Sequence, residues 1–69
     1  MGNNYSNDNY HLNAVTRLIG EAGEAKAKGS TWHKDYVCMA ERHIADIKNP
    51  ALQKAAEASL KGMRKKHNF

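Results

Sequence analysis

The stretch Trp32–Ile47, WHKDYVCMAERHIADI, decides the fold that the sequence predicts. Its apolar and aromatic side chains recur at the three- and four-residue intervals of a helix. On a helical wheel they span an arc of about 160°, whereas a helix packed on one partner needs about 100°. In angular order the arc contains Met39, Trp32, His43, Tyr36, Ile47, Ala40, Ile44 and Val37. An arc this wide predicts a central helix flanked by two others, with Trp32, Tyr36, His43 and Ile47 along the seam.

The segment before this stretch predicts a first helix over residues 10–28. Leu12, Val15, Ile19 and Ala22 recur with helical spacing, and Leu18 lies beside them. Gly20 and Gly23 oppose a helix, because each glycine costs about 1 kcal/mol relative to alanine in a helix interior. The alternative is therefore a helix that ends near Gly23. If the helix continues, its two glycines share a flank with Thr16 and Ala27, where a neighbouring backbone can approach closely.

The two connections are short and carry recognisable helix signals. Gly29 is a natural stop for the first helix, and Ser30 or Thr31 is a natural start for the second, which we predict over residues 31–48. Asn49 followed by Pro50 predicts the start of a third helix over residues 50–66, because asparagine favours the N-cap and proline the first helical position. The predicted inward face of that helix consists of Leu52, Ala56, Ser59, Leu60 and Met63.

The first nine residues differ in character from the rest of the chain. They are polar, rich in asparagine and without periodicity, so residues 1–9 predict a short, flexible, disordered lead. Asn7, Asp8 and Asn9 are each competent to cap the first helix. The predicted fold class is all-α: a small three-helix bundle or open helical array, with one domain over residues 10–69.

The size of the chain limits its core and favours association. A chain of 69 residues buries only about 60% of its unfolded surface, so disulfides, a metal or association usually add stability. One cysteine forms no intramolecular disulfide, which favours a reducing, cytoplasmic setting. No signal peptide or membrane-spanning segment is expected, because the sequence has no long apolar run. Association, including a possible homodimer, is therefore the expected source of added stability.

The residues that carry chemistry elsewhere do not form a catalytic set here. Glu21 and Glu24 have the spacing of a Mg²⁺-binding pair in all-α nucleotide pyrophosphohydrolases, but the second Glu-x-x-Asp pair of that pattern is missing. His33 and His43 are too far apart on one helix to share a metal, and Cys38 points away from His43 on the wheel. His43 is expected to be half-buried and hydrogen-bonded to a neighbour. We therefore expect no enzymatic activity, metal or cofactor.

Positive charge is concentrated at the end of the chain. Residues 50–69 carry five cationic side chains against one glutamate, which accounts for the whole net charge of +4. The cations are the candidate partner-binding residues Lys54, Lys61, Arg64, Lys65 and Lys66. A localised excess of charge favours a macromolecular partner with an acidic surface. The same residues can instead complement the dipole of the third helix and keep the protein in solution.

The functional hypothesis from the sequence is a small, non-enzymatic helical interaction protein. It would dock on a larger protein or protein–nucleic acid partner, as a regulator or inhibitor. The alternative is a nucleic-acid-binding module that uses the basic third helix for phosphate contacts, with affinity that falls steeply with salt. A membrane partner is not expected, because the apolar face of that helix is mostly alanine. The size would suit an accessory protein of a virus or mobile element, although no residue argues for that origin.

Overall fold

Three helices form the protein, and the predicted all-α fold class is confirmed. The computed structural model describes the backbone of residues 3–69 and the side chains of residues 7–69. Helix α1 spans Asn3–Ala27, α2 spans His33–Asp46 and α3 spans Pro50–His67. The described chain contains no strand. The first helix runs without a break through Gly20 and Gly23, which confirms one continuous helix and not the alternative that ends near Gly23.

Helix α1 is the element on which the other two helices pack. It contacts both α2 and α3 more extensively than those two contact each other. The molecule is elongated, with a longest dimension of 43 Å that follows the 25 residues of α1, since a helix rises about 1.5 Å per residue. The buried core lies along α1 and consists of Val15, Ala22, Val37, Ala40, Ile44, Ile47, Ala56 and Leu60.

The central role predicted for Trp32–Ile47 is therefore wrong. Trp32 is 63% exposed and Met39 is 41% exposed, although both belong to the predicted apolar arc. The reasons differ: Trp32 precedes α2 and lines an open cleft against α1, whereas Met39 lies at an edge of the arc that no helix covers. His33, which the arc did not include, is buried instead. The seam retains Ile47, which is buried, and Tyr36, which packs partly against the core.

Helix α1 begins at Asn3, well before the predicted start at Tyr10. Met1 and Gly2, the first residues of the predicted flexible lead, lie outside the described residues. Over residues 7–9 the chain is helical, so none of the three proposed capping residues stands before the first turn. Asp8 is buried, and its carboxylate accepts hydrogen bonds from the backbone N–H groups of Lys48 (2.9 Å) and Asn49 (3.1 Å). Asp8 thus binds the α2–α3 connection.

Both helix connections are fixed by local hydrogen bonds. Gly29 adopts a left-handed conformation (φ 80°) after α1. Its N–H donates to the carbonyl of Lys26, and the N–H of Ser30 donates to the carbonyl of Ala25, which is a Schellman motif. The predicted stop at Gly29 is confirmed. Helix α2 is shorter at both ends than the predicted residues 31–48. It begins at His33, and it ends at Asp46 because Ile47 is already extended (ψ 124°).

The start of α3 follows the Asn-Pro signal, as predicted. The side chain of Asn49 accepts hydrogen bonds from the backbone N–H groups of Ala51 and Leu52, and Pro50 is the first helical residue. Four of the five predicted inward residues are buried or half-buried, namely Leu52, Ala56, Leu60 and Met63. Ser59 is exposed, because it lies on the edge of the stripe where no helix covers it.

The two glycines of α1 provide a matched test of this packing. A Cβ atom at Gly20 would meet no atom within 4 Å, whereas one at Gly23 would lie 3.0 Å from Nε2 of His67. Gly20→Ala should therefore stabilise the protein by about 1 kcal/mol, the helix-propensity gain. Gly23→Ala should gain clearly less, or lose stability, because His67 must move. Urea unfolding of both variants measures the difference, and equal gains would contradict the close approach of α3 to Gly23.

Candidate functional site

A concave surface lies between α2 and α3, and we call it the α2–α3 groove. It encloses about 970 Å³ and opens to solvent. Its lining combines apolar residues with charged ones: Glu41, Ile44, Ala45, Gln53, Glu57, Leu60, Lys61, Arg64, Lys65 and Phe69. The groove exists because α2 and α3 both pack on α1 and make few contacts with each other. An apolar floor with a charged rim is typical of a surface that binds another protein.

The end of the chain closes one side of this groove. Asn68 is left-handed (φ 62°), and the N–H of Phe69 donates to the carbonyl of Arg64 in a second Schellman motif. This turn places the Phe69 ring against the buried ring of His33, with centroids 4.7 Å apart and an edge-to-face angle of 82°. The Nδ1 of His33 in turn donates to the carbonyl oxygen of Ser30 at 2.6 Å. Phe69 therefore connects α3 to the start of α2.

Arg64 contributes to the same closure. Its Nε donates to the carbonyl oxygen of Phe69 at 3.1 Å, and its guanidinium lies 6.0 Å from the Phe69 ring centroid. Across the groove, its terminal nitrogen approaches the carboxylate of Glu41 to 3.9 Å. Both side chains of this ion pair are about half exposed, so it contributes at most about 1 kcal/mol to stability. Arg64 is therefore already engaged with groups of its own chain.

Gln53 holds the opposite end of the groove. Its side-chain amide donates to the carbonyl oxygen of Ile44 (2.9 Å) and to that of Ile47 (3.4 Å). Ile44 lies in the last turn of α2, and its carbonyl also accepts from the N–H of Ile47, the C-cap residue that follows the helix. Gln53 thus caps the end of α2 from α3 and keeps the two helices at a fixed angle near their connection.

The five predicted partner-binding residues are exposed but do not form one surface. Lys61 and Lys65 lie on the rim of the α2–α3 groove. Arg64 lines the groove too, although it is engaged as described above. Lys66 faces the other side of α3, where it lines a cleft against Gly20 and Gly23 of α1. Lys54 is not among the groove residues, so the structure brings together three of the five.

The residues considered for catalysis are dispersed. Glu21 and Glu24 are exposed on α1, and Cys38 is a free, exposed thiol. Within residues 7–69, no group of three or more histidine, cysteine, aspartate or glutamate side chains converges on a possible metal position. His43 is half-buried and shares a hydrogen bond with His11, which confirms the expected environment of His43 and identifies its partner.

Several residues that shape the site were not identified from the sequence. Phe69, Gln53 and Glu41 act through contacts between helices, which helical spacing does not reveal. One local signal was available for Phe69: an asparagine after the last basic turn, followed by an apolar residue, fits the end of a Schellman motif. No comparable signal exists for Gln53, whose side chain reaches the carbonyl groups of a different helix.

The comparisons with protein-family models, curated proteins and solved structures give no match to this chain. Of the described helices, none has both the length and the apolar character needed to cross a membrane.

The docking of Phe69 generates a direct prediction. Phe69→Ala should lower the free energy of unfolding by about 1 to 2 kcal/mol, because a half-buried ring and its aromatic contact with His33 are lost. Phe69→Leu is the control that keeps apolar volume and removes only the aromatic contact, so it should lose less. Urea unfolding measures both variants. An unchanged stability of Phe69→Ala would show that the ring does not pack on His33.

Proposed function

We propose that this chain is a small, non-enzymatic interaction protein whose α2–α3 groove binds an amphipathic helical segment of a larger protein. The observation that carries the proposal is the groove itself, with an apolar floor and the cations Lys61 and Lys65 on its rim. Occupation of the groove would let so small a protein act as a regulator or inhibitor, since one bound segment of the partner would be sequestered.

The shape of the groove favours a helical segment. The α3 wall is a stripe at helical spacing, with an apolar residue at its centre and charged residues on either side. The stripe extends over three turns, about 18 Å, which matches a partner helix of about 12 residues. Helix-in-groove binding uses apolar side chains of the bound helix at three- and four-residue intervals. The α3 wall consists of Gln53, Glu57, Leu60, Lys61, Arg64 and Lys65.

The charges on the groove rim determine which side chains the bound segment should carry. Lys61 and Lys65 are exposed, and neither forms an ion pair with another side chain of residues 7–69. Acidic side chains on the edge of the partner helix would meet these two lysines. Glu57 and Glu41 lie on the same rim and would repel a uniformly acidic ligand, so they favour one orientation of a helix with mixed charge.

Nucleic-acid binding is the second candidate, and one observation favours it. Lys54, Lys61 and Lys65 are exposed and fall on one face of α3 by helical spacing. Two features weaken this surface for phosphate binding. Glu57 adds a negative charge within the same stretch of helix, and Lys66 points toward α1, away from the three lysines. Three phosphate contacts would give modest, strongly salt-dependent affinity. We therefore place protein binding first.

The proposed setting is a reducing, cytoplasmic one. Cys38 is free and exposed, and a thiol of this kind persists in compartments where thiols are kept reduced. Such an exposed thiol carries no structural role in the packing of the helices.

Two double charge reversals distinguish partner binding in the α2–α3 groove from binding that depends only on the net positive charge of the protein. Lys61→Glu with Lys65→Glu places acidic groups on the groove rim, whereas Lys54→Glu with Lys66→Glu makes the same change of net charge outside it. Affinity capture from nuclease-treated lysate should lose the partner by at least about tenfold with the groove variant. The control variant should retain it. Backbone amide shifts in NMR spectra of the recovered complex should change at Ala45 and Leu60, on the groove floor.

Three outcomes would contradict this proposal. Equal loss of binding by both double variants would point to a diffuse electrostatic partner. A mobility shift with duplex DNA or RNA at 50 mM salt that disappears by about 200 mM would favour the nucleic-acid alternative. Concentration-dependent sedimentation that Lys61→Glu with Lys65→Glu abolishes would make a second copy of this chain the occupant of the groove.

A further inference from the structure

We infer that His11 and His43 form a binding site for a divalent transition metal, and that this site connects α1 to α2 on the face away from the α2–α3 groove. The Nδ1 atoms of the two imidazole rings lie 2.8 Å apart. The two residues are 32 positions apart in the sequence and belong to different helices. The inference does not depend on the proposed function, because neither histidine lines the groove.

The contact brings two nitrogen ligands from different helices within reach of one ion. The ring centroids are 5.0 Å apart, so the two Nδ1 atoms face each other almost end to end, and both rings must turn before their lone pairs meet at a metal. A hydrogen bond between them requires one Nδ1 that carries hydrogen and one that presents its lone pair. If the donor ring moves its hydrogen from Nδ1 to Nε2, both Nδ1 lone pairs become available. The hydrogen stays on the same imidazole ring in this exchange, so the change of tautomer itself releases no proton.

The present separation of the two nitrogens is closer to the geometry of some metal ions than of others. At a metal–nitrogen distance of about 2.0 to 2.1 Å, two nitrogens 2.8 Å apart subtend about 85° to 90° at the metal. That angle suits neighbouring ligands of a square-planar or tetragonal Cu²⁺ or Ni²⁺ ion. A tetrahedral Zn²⁺ ion would need its nitrogens about 3.3 Å apart. Cu²⁺ and Ni²⁺ therefore need a smaller change in this separation than Zn²⁺ does, and nitrogen ligands do not suit hard ions such as Mg²⁺.

The surroundings of the pair suit a site that is accessible from one side. Tyr10 packs edge-on against both rings, with centroid distances of 5.2 Å to His11 and 5.9 Å to His43. Tyr10 itself is 64% exposed, and both histidines are half-buried, so solvent reaches the pair. The remaining coordination positions would be filled by water, since no third protein ligand converges there within residues 7–69.

A metal at this position would act as a staple for a small core. It would connect the first third of α1 to the last turn of α2 through coordinate bonds. Small domains use such metal contacts where the hydrophobic core alone provides little stability. Because the metal binds the folded arrangement and the unfolded chain does not preserve it, binding should appear directly as increased thermal stability.

Thermal unfolding of the full chain with and without millimolar NiCl₂ tests the site. The measurement uses a Cys38→Ser background, because the exposed thiol is itself a metal ligand. Saturating Ni²⁺ should raise Tm by about 5 °C, and calorimetric titration should give one Ni²⁺ per chain. His11→Gln and His43→Gln should each abolish the rise. His67→Gln is the matched control, a half-buried histidine on another face, and should keep the full rise.

A second readout keeps the test valid if a variant folds poorly. Paramagnetic Ni²⁺ should broaden the NMR signals of the imidazole rings of His11 and His43 in the unsubstituted pair, and should leave those of His33 and His67 sharp. Absence of any Tm rise with Ni²⁺ and Cu²⁺ would overturn the inference. So would an equal rise in His11→Gln and His43→Gln, or a response to Zn²⁺ alone, which would contradict the angle between the ligands.

Discussion

The carboxylate of Asp8 joins the first helix to the connection between the other two. Its two oxygens accept hydrogen bonds from consecutive backbone N–H groups, those of Lys48 and Asn49. Hydrogen bonds to a charged acceptor contribute about 1.5 to 3 kcal/mol each, which is a large share of the stability of a domain this small. The contact fixes one end of α2 and the start of α3 at the same position along α1.

The shape of the molecule follows from that contact. Because α2 and α3 are both anchored to α1, they do not need to pack closely on each other, and the α2–α3 groove lies between them. Gln53 near the connection and Phe69 at the far end keep the groove from closing or widening. The bound segment that we propose would supply the apolar contacts that α2 and α3 do not make with each other.

Much of the fold could be predicted from the sequence, because it depends on local signals. Gly29 and the Asn49–Pro50 pair mark real helix ends, and the inward residues of α1 follow the helical period. Asp8 lies on that same stripe, one helical turn before Leu12. Nothing in the neighbouring sequence predicts that an acidic side chain at this position is buried. Its partners are two backbone amides 40 and 41 positions away, and no periodicity in the sequence reveals them.

The candidate site was only partly predictable for a similar reason. Composition identified α3 as the cationic element, and Lys61 and Lys65 do lie on a concave surface. Composition does not show that Arg64 is engaged by Glu41 and Phe69, or that Lys66 faces α1. The exposure of Met39 has the same origin, since a wheel gives the direction of a side chain but not whether another helix lies there. The pairing of His11 with His43 also requires the packing of two helices.

Amide hydrogen exchange at Lys48 and Asn49 tests the role of Asp8 most directly. Both residues are exposed and lie between helices, so their backbone amides would exchange rapidly if the carboxylate did not bind them. We expect both amides to be protected in the unsubstituted protein and to lose protection selectively in Asp8→Ala, while the amides in the middle of α1 stay protected. Exchange of Lys48 and Asn49 at the rate of an unfolded chain in the unsubstituted protein would contradict the anchoring of α2 and α3 by Asp8.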